Sequence, residues 1–110
     1  MHKQILTVTL NPALDKFILN KELLSAGGKG INVSRGLKNL GLKTCATGLI
    51  GGENGITIKK MLDKESIDHD FVDIQGNTRV NYSVVNLSNH KIIRIVEPGP
   101  KINKKDIGEI

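Results

Sequence analysis

Apolar positions along this 110-residue chain switch between short continuous runs and three-to-four spacing, and the order of the switches predicts an α/β sheet. Gln4 to Leu10 is a run of β-branched and apolar residues ended by Asn11-Pro12, because proline cannot donate to a ladder and biases its predecessor towards extended geometry. It predicts a buried first strand. From about Ile31 to Leu40, residues Val33, Leu37 and Leu40 recur at helical spacing, with Gly41 placed to end the helix and Gly36 weakening its interior. Thr44 to Ile50 predicts a second buried strand. After the turn Gly51-Gly52-Glu53-Asn54-Gly55, residues Ile58, Met61 and Leu62 form one face of a helix ending near Glu65, and Phe71 to Ile74 is a shorter third strand. Strand and helix in alternation favour right-handed parallel crossovers.

The rhythm changes after Gln75-Gly76-Asn77. Arg79 to Leu87 and Lys91 to Val96 are β-prone, and Ser88-Asn89-His90 between them suits a three-residue hairpin turn. An antiparallel flap over about residues 79–96, beside the parallel sheet, is therefore expected. Pro98-Gly99-Pro100 breaks the chain again, and Ile102 to Ile110 reads as the first turns of another helix with no stop signal. The chain thus reads as one modest domain that is unfinished at its end, with no repeat or linker.

Between the first strand and the first helix lies Ala26-Gly27-Gly28-Lys29-Gly30-Ile31-Asn32-Val33-Ser34. Three glycines let the backbone approach a ligand without Cβ clashes, and a helix opening there offers unpaired N–H groups and the positive end of its dipole. Lys29 adds a mobile positive charge. A phosphorylated small molecule is the ligand these features suit. A dinucleotide fingerprint would need glycine where Val33 stands, and the preceding Glu22-Leu23-Leu24-Ser25 is a poor strand. A P-loop fails because Lys29 is followed by Gly30 and Ile31 rather than by Ser or Thr. The plain alternative is a glycine-rich turn that merely starts a helix; Lys29 and Asn32 argue against it.

Net charge is +5 and unevenly spread: residues 1–60 hold nine Lys/Arg against three Asp/Glu, residues 61–110 seven against eight. That bias suits phosphorylated metabolites. It would also suit nucleic acid, but Phe17, Phe71 and Tyr82 are the only aromatics, too few for base stacking, so no nucleic-acid partner is expected. The single Cys45, in the apolar run Thr44 to Ile50, reads as a small core residue in a reducing, cytoplasmic setting. No apolar stretch approaches the roughly 20 residues of a membrane span, so no membrane partner is expected. His2, His69 and His90 are scattered without ligand spacing, and Lys101, Lys104 and Lys105 read as a solvated face.

Asp15 closes the turn Asn11-Pro12-Ala13-Leu14-Asp15 at the carboxyl end of the first strand, where open α/β sheets place ligand contacts, and its carboxylate suits sugar hydroxyls. A solvated turn aspartate is the competing view. Asn32, in the first helical turn, can present its amide to the same ligand, or be an ordinary early-helix polar residue. Arg79 begins the flap and its planar fork suits anionic oxygens, against the alternative of an exposed strand arginine. No Ser/His/Asp, Cys/His or paired-carboxylate arrangement can be assembled, so hydrolase chemistry has no support.

The spacing Gly27-Gly28-Lys29-Gly30-Ile31-Asn32-Val33-Ser34, then Gly41, then Gly51, resembles the first signature of the PfkB, or ribokinase-like, carbohydrate kinases. Thr9-Leu10-Asn11-Pro12-Ala13-Leu14-Asp15, Thr78-Arg79-Val80-Asn81 and Glu97-Pro98-Gly99-Pro100 resemble that family's 1-phosphofructokinase branch, with tagatose-6-phosphate kinase as its neighbour. The resemblance covers nearly the whole chain but only the N-terminal part of the family's longer fold. It implies a ribokinase-like α/β fold with a small β flap, and ATP-dependent phosphoryl transfer to a sugar phosphate, usually with magnesium. Fructose 1-phosphate going to fructose 1,6-bisphosphate is the reaction implied first. Carried over by position, Asp15, Gly28 and Asn32 would hold the sugar, and Lys29 and Arg79 would meet its phosphate or the flap-closed end of the site. The family's general base sits in a C-terminal Gly-Ala-Gly-Asp-type motif, with the nucleotide and magnesium contacts; nothing after Pro100 matches it, so the chain alone is expected to be inactive. Relatives carry further residues between Leu19 and Lys21, where Asn20 alone stands here. That shortening bears on lid closure and on the homodimer that the flap often forms.

Overall fold

The computed structural model describes residues 4–18, 22–86, 89 and 91–109. Its elements run β1 (Ile5–Thr9), β2 (Ala13–Ile18), β3 (Glu22–Gly27), α1 (Lys29–Asn39), β4 (Thr44–Ile50), α2 (Gly52–Lys64), β5 (Asp68–Asp73), β6 (Arg79–Asn86), β7 (Lys91–Val96) and α3 (Lys104–Gly108). A parallel three-stranded sheet has the order β1-β4-β5, and a second sheet has the order β3-β2-β6-β7. The positions of the parallel strands and crossover helices agree with the apolar pattern, but β1 is not the buried strand expected: Ile5, Leu6 and Val8 are exposed and only Thr7 and Thr9 are buried. The predicted hairpin turn at Ser88–His90 falls largely outside the described residues.

Two strands depart from expectation. Asn11–Asp15 does not remain a turn: the chain bends through Leu10–Pro12 and re-enters extended geometry as β2, so Asp15 lies on a strand rather than at the exit of β1. Glu22 to Gly27, poor in β-formers, is nevertheless β3, because antiparallel pairing with β2 from Ala13↔Gly27 to Ile18↔Glu22 supplies the ladder that propensity does not. The flap is thus four strands, not one hairpin, and it is mixed, since β2 runs parallel to β6. β5 also begins earlier than Phe71. Its Asp68, His69 and Asp70 occupy an edge strand, where charged side chains are tolerated and discourage further pairing.

The core joins both sheets. Leu14 and Ala26 from the flap base pack with Ile31 of α1, Ala46 and Ile50 of β4, Ile58 and Leu62 of α2, Ile67, and Phe71 of β5. The face that α1 buries is not Val33, Leu37 and Leu40: Val33 is 53% and Leu40 77% exposed, while Ile31 and Ser34 are fully buried. The reason is polar. Ser34 Oγ lies 2.6 Å from Thr7 Oγ1 and 2.8 Å from Thr44 Oγ1, and Thr44 Oγ1 donates to the Ile5 carbonyl at 2.9 Å. Since that last bond uses the Thr44 hydroxyl proton, Ser34 donates to Thr44 and Thr7 donates to Ser34, a directed chain stitching α1 to β1 and β4. Cys45 is only half-buried rather than a core residue; burial, then the charges of Asp70 and Asp68, push its thiol pKa up and keep it protonated.

Candidate functional site

Pairing in the flap sheet arranges the site in rows. One row is Gly27, Ala13 and Arg79; the next is Ser25, Asp15 and Asn81. Side chains alternate along each strand, so Asp15 and Asn81 share a face of the sheet. Asn81 Nδ2 donates to Asp15 Oδ1 at 3.3 Å. The other carboxylate oxygen occupies space that any side chain on Gly27 would need, since a Cβ there would lie 2.1 Å from Asp15 Oδ2. Gly27 is therefore bare so that the carboxylate can lie over the chain entering α1.

Gly28 turns that entry. Its φ of +134° is in the region that favours glycine, and a Cβ would come within 2.6 Å of Thr9 Cγ2. No side chain caps α1 and its first turn holds no acidic residue, so among the described residues the one carboxylate set at its positive end is that of Asp15, over Gly27. Lys29 is exposed at the first helical position. Asn32, in the first turn, donates its backbone N–H to the Gly28 carbonyl at 2.9 Å.

One arginine that the sequence did not single out organises this corner. Arg35 Nη1 donates to Asn32 Oδ1 at 3.0 Å and Nη2 to the Ala26 carbonyl at 2.8 Å, while Nε and Nη2 reach the two Glu65 carboxylate oxygens at 2.5 and 3.0 Å. Lys38 Nζ also bonds the Glu65 carbonyl. The Glu65 hydrogen bond raises the Arg35 pKa, burial opposes that rise, and the charges of Glu65 and Asp15 add to it. Arg35 therefore stays a cation and holds Asn32 by its carbonyl oxygen, leaving the NH₂ group to donate elsewhere. Only the long-range partners Ala26 and Glu65 reveal this, so helical spacing gave no signal for it.

Arg79 stands at the base of the flap. Its Nη2 donates to the Asn11 carbonyl at 3.1 Å and its Nη1 to the Glu97 carbonyl at 3.4 Å, which ties β6 to the loops at both ends of the site. Glu97 Oε1 accepts the Val80 N–H at 2.7 Å. Among the described residues three buried polar atoms have no partner: Thr9 Oγ1, Arg79 Nε and Asn81 Oδ1. Thr9 lies beneath Gly28 and Gly30, and Asn81 beside Asp15. Leaving a buried polar atom unpaired costs about 1–3 kcal/mol, a cost that a ligand able to pair with such an atom would offset. The arrangement offers acceptors (Asp15, Asn81), donors (Asn32 and the α1 amides) and cations (Lys29, Arg79) to a ligand rich in hydroxyls and negative charge. Among the described residues no group of three or more His, Cys, Asp or Glu could hold a metal ion, and no helix is long and apolar enough to cross a membrane.

Residues 18–106 match the model of the pfkB family carbohydrate kinases. A Borreliella burgdorferi 1-phosphofructokinase is 38% identical over 93% of this chain and 36% of its own length. The structure of a Thermotoga maritima protein described as a possible 1-phosphofructokinase superposes with a TM-score of 0.86 at 39% identity, over 97% of this chain and 39% of that one. Escherichia coli phosphofructokinase-2 in complex with fructose-6-phosphate superposes with a TM-score of 0.85 at 28% identity, over 96% of this chain and 39% of that one. The same enzyme has a tetrameric inhibited form. The chain thus spans between a third and two-fifths of the length of these relatives. The glycine-bounded entrance, the flap and these similarities agree: the chain belongs to the pfkB family of carbohydrate kinases.

Proposed function

We propose that this chain supplies the sugar-phosphate-binding half of an ATP-dependent kinase that converts fructose 1-phosphate to fructose 1,6-bisphosphate. The observation that carries the reading is the Asp15 carboxylate lying over Gly27, hydrogen-bonded to Asn81, beside the uncapped entrance of α1. In this reading Asp15 and Asn32 hold the sugar hydroxyls, Gly28 lets the ring approach the backbone, and Lys29 and Arg79 meet the phosphate or the flap-closed end. In phosphoryl transfer a protein mostly positions groups and offsets charge, which suits a recess of amides and cations. ATP and magnesium belong to the proposed reaction, but the described residues do not form a metal site, so no step is assigned to magnesium here. The proton of the attacking hydroxyl passes to a base of the C-terminal motif that the family resemblance implies.

A sugar phosphate as partner, a cytoplasmic setting, and no nucleic-acid or membrane partner complete the proposal. Tagatose 6-phosphate is the runner-up substrate, and a binding module without turnover is the rival class. Titrating the chain with fructose 1-phosphate, tagatose 6-phosphate and fructose 6-phosphate ranks the substrates; tightest binding of the first is expected. Preference for either other ester would reassign the substrate, and turnover of any ester with ATP by these 110 residues would overturn the division of labour.

A further inference from the structure

An asparagine amide can turn either its oxygen or its NH₂ group towards a ligand, and the two ends recognise opposite partners. At the entrance of α1 that orientation is set by Arg35, one helical turn beyond Asn32. Arg35 Nη1 lies 3.0 Å from the Asn32 oxygen, and a guanidinium holds only donors, so the oxygen is the atom turned towards it. The Asn32 backbone N–H is already used by the Gly28 carbonyl. What this exposed residue offers outward is its NH₂ group, which among the described residues has no acceptor within the protein.

Arg35 can impose this because it is itself held on several sides. Nε and Nη2 grip the two Glu65 oxygens at 2.5 and 3.0 Å, and Nη2 also donates to the Ala26 carbonyl at 2.8 Å. A two-pronged bond to a carboxylate fixes the plane of the guanidinium, and with it the line along which Nη1 points. Glu65 is anchored in turn as the residue that ends α2: its N–H donates to the Met61 carbonyl at 3.1 Å, and its own carbonyl accepts from Lys38 Nζ. Ala26 pairs with Leu14, the residue before Asp15. The clamp thus joins the end of α2, the end of β3 and α1, and sets Asn32 against the strands that carry Asp15. Its charge is matched by Glu65, so the arginine acts as a clamp and not as a ligand contact.

We propose that Arg35, locked by Glu65, is a positioning residue that turns the Asn32 NH₂ group outward, so that Asn32 donates to a hydroxyl oxygen of the sugar. The inference rests on the sugar-phosphate reading, in which Asn32 meets the sugar, and adds the device that decides how it does so. Asp15 then accepts from the ring and Asn32 donates to it, and the entrance reads hydroxyls with both polarities.

A plain structural tie between α1 and α2 would contain the same ion pair, and a double-mutant cycle separates the two roles. Fructose 1-phosphate is titrated into wild type, Asn32→Ala, Arg35→Met and the double variant, well below each thermal midpoint. Asn32→Ala and Arg35→Met should each weaken binding by about threefold to tenfold, the range of one hydrogen bond. In the Asn32→Ala background, Arg35→Met should cost nothing further. Nitrogen-15 relaxation of the Asn32 side-chain NH₂ gives a second readout without ligand: ordered in wild type, mobile in Arg35→Met. Should Arg35→Met fail to fold, Glu65→Gln takes its place in the same cycle, with a smaller loss in the same pattern, because the neutral amide holds the guanidinium less firmly. Losses that simply add, an Asn32 amide equally ordered without Arg35, or an Asn32→Ala chain that binds as tightly as wild type overturn the positioning role and leave the sugar-phosphate reading standing. A wild-type chain that binds no ester overturns that reading and this inference together.

Discussion

Asp15 and Ser34 show how differently two polar residues are used. Asp15 faces a recess, and its second oxygen is kept accessible by an absent side chain at Gly27. Ser34 is fully buried and serves only to pass a hydrogen bond from Thr7 to Thr44. Ser34→Ala should lower stability by about 1–3 kcal/mol, because the Thr7 hydroxyl loses its acceptor and cannot reach water, and should leave ligand affinity unchanged. Urea unfolding measures the first and ligand titration the second; an unchanged unfolding midpoint would contradict the directed chain. The sequence singles out Asp15, Gly28, Lys29, Asn32 and Arg79 as candidates, because glycines, turn residues and charges cluster there at fixed spacing. The cluster of Arg35 with Glu65 gave no such signal, since its significance depends on partners that only the fold brings near. Ser34 was illegible for another reason: a hydrophobic pattern cannot register a seam made of hydroxyls.

Among the elements, β4 and the helices follow from periodicity, whereas β2 and β3 do not. Their sequence is short, interrupted by Pro12 and rich in Lys, Glu, Ser and Gly, so it becomes extended only because each strand completes the other's ladder. Missing them placed Asp15 in a turn and reduced the flap to a hairpin. The β2/β3 pairing makes a sharp prediction at Gly27, which has no positive φ and hence no backbone need for glycine. Gly27→Ala should change stability by no more than about 1 kcal/mol, yet should displace the Asp15 carboxylate and weaken sugar-ester binding by about 10-fold or more. Thermal unfolding alongside titration separates the two effects. Unimpaired binding by Gly27→Ala would mean that the carboxylate position over the chain does not matter.

The whole molecule is longer than its size requires. Its radius of gyration is 15.0 Å and its extents are 53 × 34 × 18 Å, against about 13 Å expected for a compact domain of this length. The flap projects from the α/β layer and exposes Phe17, Leu23, Ile92 and Val96 on its Asp15 face and Leu24, Ile93 and Ile95 on the other. Apolar surface of that extent on a strand layer suits self-association, and a homodimer through the flap is the proposal it supports. Sedimentation velocity should show a concentration-dependent dimer weakened by Ile93→Lys; a monomer at all concentrations would remove it. The fold as a whole was readable as α/β with a flap because the rhythm of apolar runs survives without tertiary detail, while the flap's breadth depended on strands whose own residues do not favour it.

The central claim is that Asp15 and the glycine entrance of α1 form one sugar-phosphate site. Amide and side-chain resonances of the chain, followed by NMR during titration with fructose 1-phosphate, test it most directly. Shifts should concentrate at Asp15, Asn81 and Gly27 to Asn32, and Asp15→Asn should abolish them or move them to at least tenfold higher ligand. Shifts centred instead on Lys101 to Lys105, or an Asp15→Asn chain that binds as well as wild type, would contradict it.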